Sequence, residues 1–168
     1  GDGAYNNGVV MESLNWAAMG QFTLPEYAGK KGFGLPIFYA LINNHYGMTG
    51  RADGEVVGIA NMARRAAGFA ENNLHAEIIN GMDVLACLDA ARRAAALCRA
   101  GKGPVLMEFD TYRYYGHSLS DPRTEYRTKD EEANWREIDP IATFEKQVVA
   151  CGLLSQGKLD ALKRKVAD

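Results

Sequence analysis

A chain of 168 residues, 47% hydrophobic and 24% charged, has the length and apolar content of one folded domain with a real core, and is too apolar for a disordered segment. Its 19 basic and 21 acidic residues leave a formal net charge of −2, which argues against a dedicated nucleic-acid binder. No apolar run reaches the roughly 18 residues that a membrane-spanning helix needs, and Gly1-Asp2-Gly3 offers neither the basic start nor the apolar stretch of a secretory leader.

Residues 8–19 carry Val9, Val10, Leu14, Ala17 and Ala18 at helical spacing, with Asn6 or Asn7 placed to cap the start. Residues 21–35, with Pro25, Gly29, Lys30, Lys31, Gly32 and Gly34, read as a long loop. The apolar run 36–42 predicts a strand buried on both faces, as in a parallel sheet. A turn-rich loop follows over 43–57, then a helix over 58–70 and a short strand over 75–80. Asp83 is placed to cap a long Ala- and Leu-rich helix over 84–100. Residues 104–109 predict another buried strand, and 114–130 a polar, aromatic loop. Asp139-Pro140 starts a helix to about Cys151, Pro140 suiting the first helical turn. A last helix begins at Ser155 or Gln156. Strands alternating with helices predict an α/β fold, a parallel sheet flanked by helices.

Cys87, Cys98 and Cys151 are odd in number, sit in apolar helical stretches and read as buried free thiols. There is no CxxC pair. Arg64-Arg65 and Arg92-Arg93 read as solvated helix faces rather than phosphate sites. The chain lacks an initiating Met and ends on Lys163-Arg164-Lys165 in a helical pattern, so both ends read as cut. Residues 1–168 are taken as one domain, truncated on its N-terminal side and open to truncation on the other.

Two segments carry the chemistry. In Gly1-Asp2-Gly3-Ala4 the glycines allow a tight turn and close approach of another group. If a strand precedes it, Asp2 stands at the carboxyl edge of a parallel sheet, where α/β proteins bind ligands. Asn43-Asn44-His45-Tyr46-Gly47 leaves the strand over 36–42 at that same edge. A carboxylate, an amide oxygen and a backbone carbonyl are hard ligands that suit Mg²⁺ together with diphosphate oxygens and water. Taken alone, each segment is also an ordinary turn.

The pair Gly-Asp-Gly … Asn-Asn resembles the cofactor motif of thiamine-diphosphate-dependent enzymes. The resemblance implies that Asp2, the Asn44 side chain and the Tyr46 carbonyl hold the metal while Gly3 and Ala4 approach the diphosphate. Its two halves stand further apart than the family's usual spacing, the excess falling in 21–35. A third segment, Thr111-Tyr112-Arg113-Tyr114-Tyr115-Gly116-His117-Ser118-Leu119-Ser120-Asp121-Pro122, continuing to Tyr126-Arg127-Thr128, narrows the likeness. It resembles the phosphorylation loop of 2-oxo acid dehydrogenase E1 alpha subunits, the pyruvate dehydrogenase type above all. By that resemblance His117 is catalytic and contacts the cofactor. Arg113, Asp121, Tyr126 and Arg127 order the loop, and Ser118 is a candidate phosphorylation site. Tyr115 stands where the family usually has histidine. Physically, Arg113, Arg127 and Asp121 can stitch such a loop together with charge-assisted hydrogen bonds.

The likeness covers almost the whole chain and implies thiamine diphosphate and Mg²⁺ as cofactors and a 2-oxo acid as substrate. It implies an E1 beta subunit supplying the glutamate that activates the aminopyrimidine, and an E2 lipoyl domain receiving the acyl unit. The expected assembly is an alpha2beta2 heterotetramer, without nucleic acid or membrane, in bacterial cytoplasm or mitochondrial matrix, and this chain alone is expected to have no turnover. Two alternatives stay open: an acetoin or branched-chain 2-oxo acid dehydrogenase alpha subunit, and a non-catalytic assembly module.

Overall fold

A computed structural model of the chain describes residues 1–28, 34–48, 50–69 and 74–167. Most of the distinctive part of the 21–35 loop, including Lys30 and Lys31, lies outside them.

Among the described residues three parallel strands form a sheet: β1 (Phe38–Asn43), β2 (His75–Asn80) and β3 (Val105–Asp110), in the order β1-β3-β2. Their register sets Asn43, Asp110 and Asn80 level with one another. All three strands therefore release their chains at one carboxyl edge, and the turns that follow share that edge.

The helices are α1 (Gly8–Ala17), α2 (Pro25–Ala28), α3 (Val84–Arg99), α4 (Lys129–Glu137), α5 (Pro140–Ala150) and α6 (Gln156–Ala167). Most begin where a side chain satisfies the otherwise unpaired first amides. Asn7 accepts from Val9 N at 3.0 Å, and Asp83 from Leu85 N and Ala86 N at 2.8 and 3.0 Å. Asp139 caps α5 in the same way, ahead of Pro140. Thr128 caps α4 through Glu131 N, and Asp130, Glu131 and Glu132 set three carboxylates against the positive end of its dipole. The sequence reading did not anticipate α4. The helix expected over 58–70 is a 3-10 segment, Met62–Gly68, whose preceding Asn61 makes no side-chain cap.

The central strand β3 sorts its residues between two cores. Leu106 joins Tyr5, Leu14, Leu41, Ala52, Val57 and Met62 on the face covered by α1 and the 3-10 segment. Val105 and Met107 pack with Ile79 against Ala90, Ala94 and Cys98 of α3 on the other. β1 departs from the two-sided burial expected of it. Leu41 and Asn43 are buried, but Phe38, Ala40 and Ile42 alternate with them as exposed residues, on the face where α3 packs mainly over β2 and β3. The thiols also divide: Cys98 is buried, Cys87 half-buried, and Cys151, at the end of α5, exposed. No helix of the described residues is long and apolar enough to cross a membrane.

Candidate functional site

Asp2 is buried at 3% exposure although it lies beside the chain's first residue. Its Oδ1 accepts from Gly3 N at 2.7 Å and its Oδ2 from Asn44 N at 3.1 Å, which ties the Gly-Asp-Gly turn to the turn that leaves β1. One end of the Asn44 amide lies 3.2 Å from Asp2 Oδ2 and 3.0 Å from the Tyr46 carbonyl oxygen. With nitrogen at that position the amide donates to both oxygens. With oxygen there, three hard oxygens converge and Asn44 Oδ1 accepts from Tyr46 N at 3.3 Å. Spacings near 3 Å match neighbouring ligands of an octahedral ion held at about 2.1 Å. Among the described residues no group of three His, Cys, Asp or Glu side chains could hold a metal.

The helix over 8–17 does not start directly at this turn. A single 3-10 turn, Ala4–Asn6, intervenes before α1 starts at Gly8. Gly3 stands against the chain at Gly47: a Cβ on it would lie 3.6 Å from the Gly47 Cα.

Above the turn, an aromatic cluster of Tyr46, Tyr112, Tyr114, Tyr126 and Trp135 gathers with Met82. Tyr112 stacks on Trp135 with ring centroids 4.9 Å apart. The Tyr46 hydroxyl donates to Glu131 Oε1, and the Tyr112 hydroxyl donates to the same oxygen at 3.1 Å. Burial first, and the Glu131 contact second, push the Tyr46 phenol well above its ordinary pKa, so it stays a donor. Arg127, its side chain wholly buried, lies over the rings of Tyr46, Tyr112 and Tyr126 with its Nε 2.8 Å from Glu132 Oε1. It donates to the carbonyls of Arg113 and Tyr114.

The predicted loop-ordering residues do come together, but with other partners than expected. Among the described residues no arginine side chain hydrogen-bonds to Asp121. Its Oδ2 accepts from the Tyr126 hydroxyl at 2.5 Å and from His117 N at 2.7 Å, and its Oδ1 from Arg123 N at 2.8 Å. The Tyr126 bond, then the His117 amide, lower its carboxyl to about 2. Arg113 reaches out of the loop: its guanidinium donates to the Gly47 and Tyr46 carbonyls at 2.6 and 2.7 Å. Gly116 is required where the loop closes on itself, since a Cβ there would stand 2.9 Å from Asp121 Cβ. His117 is exposed, and exposed Ser118 pairs its hydroxyl with Ser120 at 3.1 Å.

Three residues close to the site were missed. Glu131 is 85 residues from Tyr46 on a helix that was not expected. His45, at φ 70°, pairs its Nε2 with Asp110 Oδ1 at 2.6 Å and lies against Trp135. Glu108, in the middle of β3, is 1% exposed and accepts from Asn43 Nδ2 at 2.8 Å and Ala63 N at 2.7 Å. Charge inside an apolar strand was the available signal for it. Arg65, read as solvated, instead holds the Tyr5 carbonyl at 3.1 Å and Asn6 Oδ1 at 2.7 Å. Arg93 pairs with Glu77 and Asp89 at the surface, a helix-face role.

A parallel sheet flanked by helices, with the paired turns and the aromatic loop at its carboxyl edge, makes this an α/β protein whose candidate site lies where open α/β sheets bind ligands. The family model described as Dehydrogenase E1 component matches residues 1–168, and the chain belongs to that family, whose parallel α/β fold binds thiamine diphosphate. It is 35% identical over 172 residues to pyruvate dehydrogenase E1 component subunit alpha type I, mitochondrial, of Ascaris suum, covering 99% of this chain and 37% of that protein. It is 36% identical over 167 residues to the mitochondrial alpha subunit of Saccharomyces cerevisiae, covering 96% and 34%. Against the somatic-form mitochondrial alpha subunit of Homo sapiens it is 37% identical over 165 residues, covering 95% and 36%. The chain thus spans little more than a third of the length of these relatives.

Proposed function

We propose that this chain is the part of a pyruvate-dehydrogenase-type E1 alpha subunit that holds the magnesium ion and diphosphate of thiamine diphosphate. The observation that carries the reading is the approach of one end of the Asn44 amide to Asp2 Oδ2 at 3.2 Å and to the Tyr46 carbonyl oxygen at 3.0 Å. These residues would hold the metal through a carboxylate, an amide oxygen and a main-chain carbonyl, with Gly3 and Ala4 against the diphosphate. When bound, the cofactor supplies the electron sink that decarboxylation of a 2-oxo acid needs. The chain's own contribution is to bind, orient and enclose. Asp121 and Tyr126 brace the backbone at His117, which would face cofactor and substrate from the loop. Arg113 ties that loop to the metal-side turn.

In this reading the active site lies between two subunits. An E1 beta subunit contributes the glutamate at the aminopyrimidine, an E2 lipoyl domain receives the acyl unit, and the assembly is an alpha2beta2 heterotetramer in the mitochondrial matrix or bacterial cytoplasm. Ser118 is the proposed phosphorylation site: it is exposed and adjoins His117, so a phosphate there would set negative charge beside a site meant for a diphosphate. Residues 1–168 would be one domain of the longer subunit.

The test is calorimetric titration of thiamine diphosphate with Mg²⁺ into the full-length protein assembled with its partner, beside Asp2→Ala. Binding that requires the metal and is lost in the variant is the expected result. Full affinity without metal, or in Asp2→Ala, would remove Asp2 and the metal from the reading, and no binding at all in the assembled parent would leave an assembly module.

A further inference from the structure

We propose that Glu108 is a positioning residue, one buried carboxylate that braces both halves of the candidate cofactor site. The inference rests on the cofactor reading above and adds the device that holds its two turns in register.

Glu108 sits on the central strand, on the face it shares with Leu106, and is 1% exposed. Burying a carboxylate is costly, and replacing such a group with an apolar side chain of similar volume often stabilises a fold. Among the described residues no Lys, Arg or His pairs with it. It is met by neutral donors, Asn43 Nδ2 at 2.8 Å on Oε1 and Ala63 N at 2.7 Å on Oε2. Packing therefore gives no reason for a carboxyl group here; the partners do.

Each oxygen leads to one half of the site. From Oε1 the route runs through Asn43, whose Oδ1 accepts from His45 N at 3.2 Å. That bond fixes the turn in which His45 takes φ 70°, an unfavourable backbone angle for a residue with a Cβ. The turn delivers the Asn44 amide and the Tyr46 carbonyl. From Oε2 the route runs through Ala63 into the 3-10 segment, where Arg65 donates to the Tyr5 carbonyl at 3.1 Å and to Asn6 Oδ1 at 2.7 Å. The same guanidinium lies 5.0 Å from the centre of the Tyr5 ring. Tyr5 N in turn donates to the Gly1 and Asp2 carbonyls, which closes the Gly-Asp-Gly turn. A metal site whose oxygens come from two separate turns needs those turns held to within a fraction of an ångström, and Glu108 is the group common to both.

The test uses the full-length protein assembled with its partner subunit and reads the calorimetric affinity for thiamine diphosphate in the presence of Mn²⁺, the melting temperature, and kcat at saturating cofactor. Glu108→Gln keeps size and shape, but the Ala63 main-chain amide can only donate, so the Gln oxygen stays there, its NH2 faces Asn43 Nδ2, and the route to the Asn44 turn breaks. Asn43→Ala cuts only the route to the Asn44 turn. Each is expected to weaken cofactor binding at least tenfold while kcat at saturation stays within about twofold of the parent. The double variant is expected to lose little more than Glu108→Gln alone. Folded variants whose affinity stays within twofold of the parent overturn the inference, and Asn43→Ala carries the test should Glu108→Gln fail to fold. Asp2→Ala separates the two claims. If it binds normally, the cofactor reading falls and this inference with it; if binding depends on Asp2 but not on Glu108 or Asn43, this inference alone falls.

Discussion

The Arg113 guanidinium donates to the Tyr46 carbonyl at 2.7 Å, and so joins the loop after β3 to the very carbonyl proposed as a metal ligand. Its second donor reaches the Gly47 carbonyl at 2.6 Å, a two-point grip that uses the planar fork of arginine. Hydrogen bonds from a charged donor contribute about 1.5–3 kcal/mol. Arg113→Ala is therefore expected to lower hydrogen-exchange protection across 113–127 by roughly ten- to a hundredfold. Arg113→Lys should recover only part of it, because an ammonium group cannot span both carbonyls in the same geometry. Unchanged exchange in Arg113→Ala would mean that the loop is held by Arg127 and Asp121 alone.

Asp121 gives the loop a defined response to acid. Its carboxyl titrates near 2 in the folded loop against an ordinary value of 3.8, the Tyr126 hydroxyl being the main cause. The ionised form is the one that the fold favours. Its contribution is complete above the ordinary value and is lost only as pH falls through about 2. Proteolysis within 113–127 should then be insensitive to pH between roughly 8 and 5 as far as this group is concerned. Asp121→Asn should be cut faster throughout that range, because the neutral amide no longer attracts the Tyr126 hydroxyl and the His117 and Arg123 amides as a carboxylate does. Equal cleavage rates for variant and parent would remove Asp121 from the loop's scaffold.

Glu131 tests the aromatic cluster. It accepts from two phenols whose residues are 1% and 6% exposed, Tyr46 and Tyr112. Glu131→Ala strands both hydroxyls without their acceptor, at about 2–3 kcal/mol together. For a chain of this size that is a fall in melting temperature of roughly 5–10 °C. Glu131→Gln keeps one acceptor oxygen and should lose about half as much. Because Trp135 stacks on Tyr112, the loss should also appear as a change in Trp fluorescence, which a surface ion pair between Glu131 and Arg51 alone would not produce.

The strands and capped helices were legible because their signals are local: apolar runs, Asp83 and Asp139 ahead of helical spacing, Pro140 in a first turn. The approach of Asp2 to Asn44 was legible for a different reason, since the Gly-Asp-Gly and Asn-Asn turns resemble the two halves of one cofactor motif. What escaped was whatever depends on distant partners. The segment of α4, Lys-Asp-Glu-Glu-Ala-Asn-Trp-Arg-Glu, has almost no apolar stripe, and its job is to bring Glu131 and Glu132 to tyrosines and an arginine already in place. Arg113 looked like the natural partner of Asp121. Nothing in the chain order says that its fork meets two successive carbonyls 66 and 67 residues earlier. The exposed face of β1 was invisible for a related reason, because an apolar run does not tell which of its faces a helix will cover.

The same limit decides the thiols, and there a simple titration checks the result. All three cysteines read as buried from their apolar neighbours, yet Cys151 follows the last residue of α5 and is exposed, whereas Cys98 packs against Val105 and Met107 under α3. Burial raises the Cys98 thiol above its ordinary pKa, as it does that of Cys87, where the Asp83 carboxylate adds to the shift. A raised pKa leaves less thiolate at neutral pH, and thiolate is the reacting form. Ellman titration of the folded protein should therefore modify Cys151 first, Cys87 more slowly, and Cys98 only on unfolding. Cys151→Ser should remove the fast phase without moving the melting temperature. Rapid labelling of Cys98 in the native protein would mean that α3 leaves the sheet far more readily than its Ala90, Ala94 and Cys98 seam allows.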